Sequence, residues 1–426
     1  MFTISPHPSL LLLSLWFQST QGRCVFDEVQ QSVRVVTPVT GSSPTKHIEV
    51  SDSLAVFPAS EQIGAFRWTR GTSLQYLQPQ RTRGQAMTDM APIRISTWIP
   101  QESVPLSEVD RERLDSAINQ TVRIVSGLLS VRHIPGPLLL SRDINKYCKF
   151  IWRNASAANY NRCGRANGSY RNETCLDVVI PDEHLRGCAV FHHPDSPISA
   201  EFRREGAGLD NTDFLLYLHI QNSRRCSTEP SMLAYAAHCQ TDPQGRPLAG
   251  TVVICREQLR QERYRHETTV QVLIHELFHV LGFSRTLFNT WRDCFHTRQA
   301  GMGCLPHGRV TNLDDTGHMR IYTQSVVRAL QEHLNSTDPQ LGGPLENVVH
   351  TTYYIHFYDY DADSGGLSSH WEARVLLGSI MTAALGEPST VQIDHMTLAA
   401  LQDTGWYSAN FSRAQSLVWG QGSMFK

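Results

Sequence analysis

Along the chain, apolar positions fall into a few clear periodicities separated by long unpatterned stretches. Ile93 to Trp98 alternates apolar and polar residues like a half-buried strand. From Glu108 to Ser130 the apolar residues Leu114, Ile118, Val122, Ile124, Val125 and Leu128 recur near helical spacing. Asp213 to Ile220 and Gly250 to Cys255 are short, nearly continuous apolar runs of buried-strand length. Between Arg265 and Phe283 the period turns helical again, with Thr268 to Gln271 as a capping box and Gly282 as the stop. The last 140 or so residues read as helical and loop-rich. The pattern predicts an α+β unit followed by a mostly helical and looped C-terminal lobe, with no internal repeat.

The N-terminal 91 residues differ. Leu10 to Phe17 is a short apolar run followed by the small residues Thr20 and Gly22, which reads as an export signal over residues 1–22. Residues 23–91 lack clear periodicity, and the polar, basic stretch Gln78 to Gly84 is a candidate cleavage region, centred on Arg81 to Gly84. Lys+Arg 38 against Asp+Glu 40 leaves a net charge of -2, and no basic block appears, which argues against phosphate-driven nucleic-acid binding. No apolar run reaches the ~18 residues a membrane helix needs. Ten cysteines and sequons at Asn119, Asn154, Asn167, Asn172, Asn335 and Asn410 agree with a secreted or cell-surface glycoprotein stabilised by disulfides. The spacings leave the cysteine pairing open.

The predicted helix carries His275-Glu276-Leu277-Phe278-His279. Two histidines four residues apart face the same side, so both imidazoles can reach one Zn²⁺, and Glu276 sits where it can take a proton from a water beside the metal. Gly282 keeps the place of the glycine in the short pattern H-E-x-x-H-x-x-G-x-x-H, but Arg285 stands where its third histidine belongs. Arginine stays protonated and cannot be that ligand. The downstream candidates are His296, His307, His318, His333, His350, His356, His370 and His395. His370 is favoured because it follows the flexible Ser364-Gly365-Gly366 and precedes Met381 by eleven residues, where Ser379 to Thr382 offers a turn beneath a metal.

With these residues the chain resembles the leishmanolysin family of zinc metallopeptidases. The resemblance rests on His275 to Ser284, Asn211 to Phe214, Cys239 to Thr241 ahead of Gly250 to Val252, Ser369 to Glu372, Gln402 to Tyr407, Asn410 to Ala414 and Trp419 to Gln421. It implies a metzincin-type fold, one zinc ion held by His275, His279 and a third histidine reached across a long insertion, Glu276 as general base and a methionine turn at Met381. It also implies a propeptide over residues 23–91 whose Arg23-Cys24-Val25-Phe26-Asp27 places Cys24 as an inhibitory thiolate. Two catalytic lobes would then span residues 92–283 and 284–426.

The family's cysteine-rich C-terminal region has no counterpart before Lys426. With Cys24 set aside, nine cysteines remain, so the expectation is that one partner belongs to that region. The substrate expected is an extended polypeptide, aligned by strand addition along Gly250 to Cys255. The competing reading is a zinc-containing adhesion or signalling protein with little peptidase activity. A zinc-dependent hydrolase of a non-peptide substrate also fits the metal chemistry.

Overall fold

The computed structural model describes residues 23–38, 73–74, 90–101, 103–260, 264–293, 305–306, 308–338, 340–347 and 367–422. The expected export signal, the stretch Gln78 to Gly84 and His296, His307, His350 and His356 lie outside these residues.

A five-stranded mixed sheet forms the frame. Its strands are β1 (Ser73–Leu74), β2 (Ile95–Trp98), β3 (Phe214–Gln221), β4 (Ala234–Thr241) and β5 (Pro247–Cys255), in the spatial order β1-β2-β3-β5-β4. β3 runs parallel to both β2 and β5, whereas β4 is antiparallel to β5. The period-two geometry of strands sorts the side chains. Leu216, Leu218 and Ile220 join Ala234, Ala236, Val252 and Ile254 in the large core, while Leu215 and Tyr217 enter a separate cluster on the opposite face. Both faces are covered, which is why β3 and β5 read as continuous apolar runs.

Several helices contribute to that large core, among them α2 (Glu108–Leu128), which follows a short N-terminal helix α1 (Phe26–Gln31), and α3 (His266–Leu281). The Ser107 hydroxyl caps α2 by accepting from the Asp110 amide at 3.2 Å. α3 starts earlier than expected. Its N-cap is Arg265, without a side-chain cap, and the Thr269 hydroxyl donates back to the Arg265 carbonyl, so Thr268 to Gln271 lies inside the helix rather than forming a capping box. Its end follows the prediction. Gly282 adopts φ 147°, and a Cβ there would lie 3.0 Å from the Trp406 ring.

One expectation is corrected. Gly250 to Cys255 is paired on both sides and offers no free edge, while β4 is the outer strand. Gly250 and its neighbours are apolar because they are central. The outer rim of β4 meets the N-terminal segment: the Val36 amide donates to the Cys239 carbonyl and the Thr241 amide to the Val36 carbonyl.

Disulfides join Cys148 to Cys163, Cys175 to Cys239 and Cys226 to Cys255, and the last two tie β4 and β5 to neighbouring loops. Among the described residues Cys24 and Cys188 are free thiols. No described helix is long and apolar enough to cross a membrane. Among the described residues of the C-terminal lobe, the longer helices are α4 (Gln324–Leu334) and α5 (His395–Asp403). Short 3-10 turns, strands of two or three residues and loops make up the rest of its described chain.

Candidate metal centre

α3 places His275 and His279 one turn apart, with their Nε2 atoms 3.0 Å from each other. His370 reaches the same point from a loop 91 residues away, its Nε2 3.1 Å from that of His279. That loop is stitched from both sides: the Glu346 amide donates to the His370 carbonyl and the Trp371 amide to the Met381 carbonyl. The other ring nitrogens are engaged. His275 Nδ1 lies 2.6 Å from the Ile380 carbonyl, His279 Nδ1 2.8 Å from the Phe283 carbonyl, and His370 Nδ1 3.3 Å from the Ser368 hydroxyl.

A carbonyl only accepts, so His275 and His279 carry their protons on Nδ1 and turn bare Nε2 lone pairs toward each other. Burial pushes His275 down to about 4 and holds His279 and His370 well below the usual imidazole value, so all three are neutral. Lone pairs converging at ~3 Å repel unless a cation lies between them. Tetrahedral zinc with bonds of about 2.05 Å to nitrogen and 2.3 Å to sulfur has N···N edges of about 3.3 Å and N···S edges of about 3.6 Å. The N···N separations lie a few tenths of an ångström below the first value, and Cys24 Sγ to His279 Nε2, at 3.6 Å, matches the second. Ligand atoms of Cys24, His275, His279 and His370 all lie within 4.8 Å of one another. The donor set fits zinc.

Glu276 is buried beside this cluster. Its Oε1 lies 3.6 Å from Cys24 Sγ and its Oε2 has no hydrogen-bond partner. Burial pushes its carboxyl up to about 8, opposed by the Cys24 thiol and the Ala236 backbone amide. Burial and the nearby Glu276 charge likewise raise the Cys24 thiol. Met381 is fully buried, in a turn whose Ser379 hydroxyl donates to Asp394 at 2.5 Å and accepts from the Met381 amide. Asp394 caps α5 through the Thr397 amide.

The segment carrying Cys24 is held at several further points. Phe26 stacks on the His279 ring at 4.2 Å with an interplanar angle of 5°. Asp27 accepts from the amide and hydroxyl of Ser369, and Gln30 pairs with the amide and carbonyl of His238 on β4. Arg23 faces Glu346 at 3.2 Å. In the sequence Phe26, Asp27 and Ser369 stand only as parts of motifs, and nothing marks Gln30 as a contact. The five-residue spacing of Arg23, Cys24 and Asp27 was the one available signal. Arg285, in place of a third histidine, supports the His370 loop: its amide donates to the Ser369 hydroxyl and Nη1 to the Leu367 carbonyl.

The remaining described histidine candidates lie elsewhere. His318 contacts Thr316, His333 the Trp419 carbonyl, and His395 stacks on Phe411. Of the sequon asparagines, Asn154, Asn172, Asn335 and Asn410 are exposed, whereas Asn119 in α2 and Asn167 are half-buried.

Comparison with known proteins bears directly on this arrangement. The family model described as leishmanolysin matches residues 179–298 and 350–425, which include all three histidines and Glu276. The ciliated left-right organizer metallopeptidase of Danio rerio is 50% identical over 414 residues, covering 97% of this chain and 59% of that protein. The chain belongs to the leishmanolysin family. The Mus musculus protein of the same name is 37% identical, covering 97% of this chain and 52% of its own length. A leishmanolysin-like peptidase of Caenorhabditis elegans is 28% identical over 351 residues, covering 78% of the chain and 50% of its own length. The chain thus spans between half and three-fifths of the length of these family members.

Proposed function

We propose that this leishmanolysin-family chain is the catalytic part of a secreted or cell-surface zinc endopeptidase of metzincin type, made as a latent precursor. The observation that carries the reading is the convergence of the His275, His279 and His370 Nε2 atoms beside a buried Glu276 whose Oε2 is unpartnered. A purely structural metal site has no use for that carboxylate. When bound, zinc would polarise a substrate carbonyl and acidify a water. The chain's own residues supply the rest. The three histidines hold the ion, with Nδ1 contacts fixing ring orientation. Glu276 Oε2 takes a proton from the attacking water and returns it to the leaving amine. Met381 forms the floor of the site.

In this reading residues 23–91 are a propeptide after a signal over residues 1–22, ending near Arg81 to Gly84, and Cys24 takes the fourth ligand position. Residues 92–283 and 284–426 form the two catalytic lobes. An extended substrate would lie along β4 once the N-terminal segment leaves, by backbone pairing of the kind that Val36 makes there now. The exposed sequon asparagines would carry glycans.

The test is hydrolysis of a mixed peptide library by the activated protein beside Glu276→Ala at equal zinc content. Cleavage by the parent alone supports the reading. Loss of neither or absence of both, with zinc bound, overturns it.

A further inference from the structure

The contact that seats Asp27 resembles a binding site more than a simple latch. Its Oδ2 accepts from the Ser369 amide at 2.8 Å, its Oδ1 accepts from the Ser369 hydroxyl at 2.5 Å, and Arg285 Nε lies 3.4 Å from Oδ1. Those donors are positioned by bonds that do not involve Asp27. The Ser369 hydroxyl accepts from the Arg285 amide at 2.8 Å, which points its proton toward the carboxylate, and Arg285 Nη1 donates to the Leu367 carbonyl at 2.6 Å. Ser369 is fully buried and Arg285 is 13% exposed. When the N-terminal segment departs, a buried amide, a hydroxyl and a guanidinium nitrogen lose their acceptor together, and buried donors without acceptors are costly.

We infer that the Ser369–Arg285 cradle is a subsite for a carboxylate, filled by Asp27 in the latent chain and by an acidic side chain of the peptide substrate in the open one. The inference rests on the peptidase reading and deepens it by naming a substrate class. Ser369 is the chain neighbour of His370, so the acid belongs within a few residues of the bond held at the metal. Glu346, which faces Arg23, is the acidic group on the same wall. Its charge also repels the carboxylate in the cradle, so the preference depends on the three donors outweighing that repulsion.

The test uses the full zinc-loaded chain with Cys24→Ala, Phe26→Ala, Asp27→Ala and Gln30→Ala to release the segment, and Glu276→Ala to prevent turnover. Dye-labelled decapeptides carrying one Glu, moved stepwise along an otherwise uncharged sequence, are compared with their Gln counterparts by fluorescence anisotropy. The expected result is about tenfold tighter binding of Glu over Gln at one position. Arg285→Gln should bring the ratio close to one, Arg285→Lys should restore part of it, and Ser369→Ala should lower it several-fold at unchanged zinc content. Equal binding at every position, or a preference that Arg285→Gln and Ser369→Ala both leave intact, overturns the subsite. Restoring Glu276 tests the underlying reading separately. Discrimination without cleavage would remove the peptidase and leave the cradle standing.

Discussion

His275 Nδ1 lies 2.6 Å from the carbonyl oxygen of Ile380, joining α3 to the turn that carries Met381 across 105 residues. The bond fixes the His275 tautomer, and so the Nε2 lone pair is available only while the turn keeps its shape. The turn in turn depends on Asp394, which accepts from the Ser379 hydroxyl, the Thr397 hydroxyl and the Thr397 amide. Asp394→Ala leaves those three buried donors without an acceptor. It should destabilise the chain by about 3 kcal/mol and weaken zinc retention although no ligand is changed. Thermal unfolding and zinc content under a chelator titration check both outcomes. Unchanged zinc retention in a folded variant refutes the coupling.

The third ligand is tested by metal content. In a Cys24→Ser background, His370→Ala should cut zinc occupancy sharply, because two histidines alone leave the ion half held. His318→Ala and His333→Ala should retain it, since both residues bond elsewhere. Equal loss in all three removes His370 from the site. Atomic absorption on chains dialysed at fixed free zinc is the measurement.

Latency should yield in steps rather than at one residue. Cys24→Ser removes the thiol that completes the donor set, yet Phe26, Asp27 and Gln30 still hold the segment. The full chain should therefore gain about tenfold in peptidase rate, not full activity. Gln30→Ala breaks two bonds to the His238 backbone, roughly 2 kcal/mol, and should also raise the rate of the full chain. The double variant should exceed either single one. If Gln30→Ala has no effect with Cys24 intact or replaced, the segment does not guard β4.

Much of this was legible in the sequence for identifiable reasons. α3 announced itself through a 3.6-residue period, and its two histidines through spacing. β3 and β5 showed as apolar runs because helices and loops cover both faces. β4 escaped notice because Ala234 to Thr241 mixes Ala, His, Cys and Gln without alternation, its burial coming from the α1 segment as much as from the sheet. The edge was therefore assigned to Gly250 to Cys255, which is the inner strand. The short strands and loops of the C-terminal lobe are set by long-range contacts such as Ser379 with Asp394, and two-residue strands carry no period. Asp27 stands in the Arg23 to Asp27 element, but nothing local points to its partners Ser369 and Arg285, which lie far along the chain.

Stability should also depend on pH through His184, away from the metal site. Its ring is buried against Trp98, and its Nδ1 lies 3.0 Å from the Tyr217 hydroxyl. Burial lowers it from 6.5 to about 4, partly offset by Glu183. Above pH 6.5 the imidazole is neutral in both folded and unfolded chains, and the full stability is present. As pH falls from 6.5 toward 4 the unfolded chain takes up the proton first, so stability is lost progressively across that window, by about 3 kcal/mol in all. Below pH 4 both forms are protonated and this contribution changes no further. His184→Gln keeps an acceptor for Tyr217 without a titrating group. It should flatten the fall in urea midpoint between pH 6.5 and 4 relative to the parent, with zinc handled identically in both. Parallel curves for the two proteins would show that His184 does not titrate in this window.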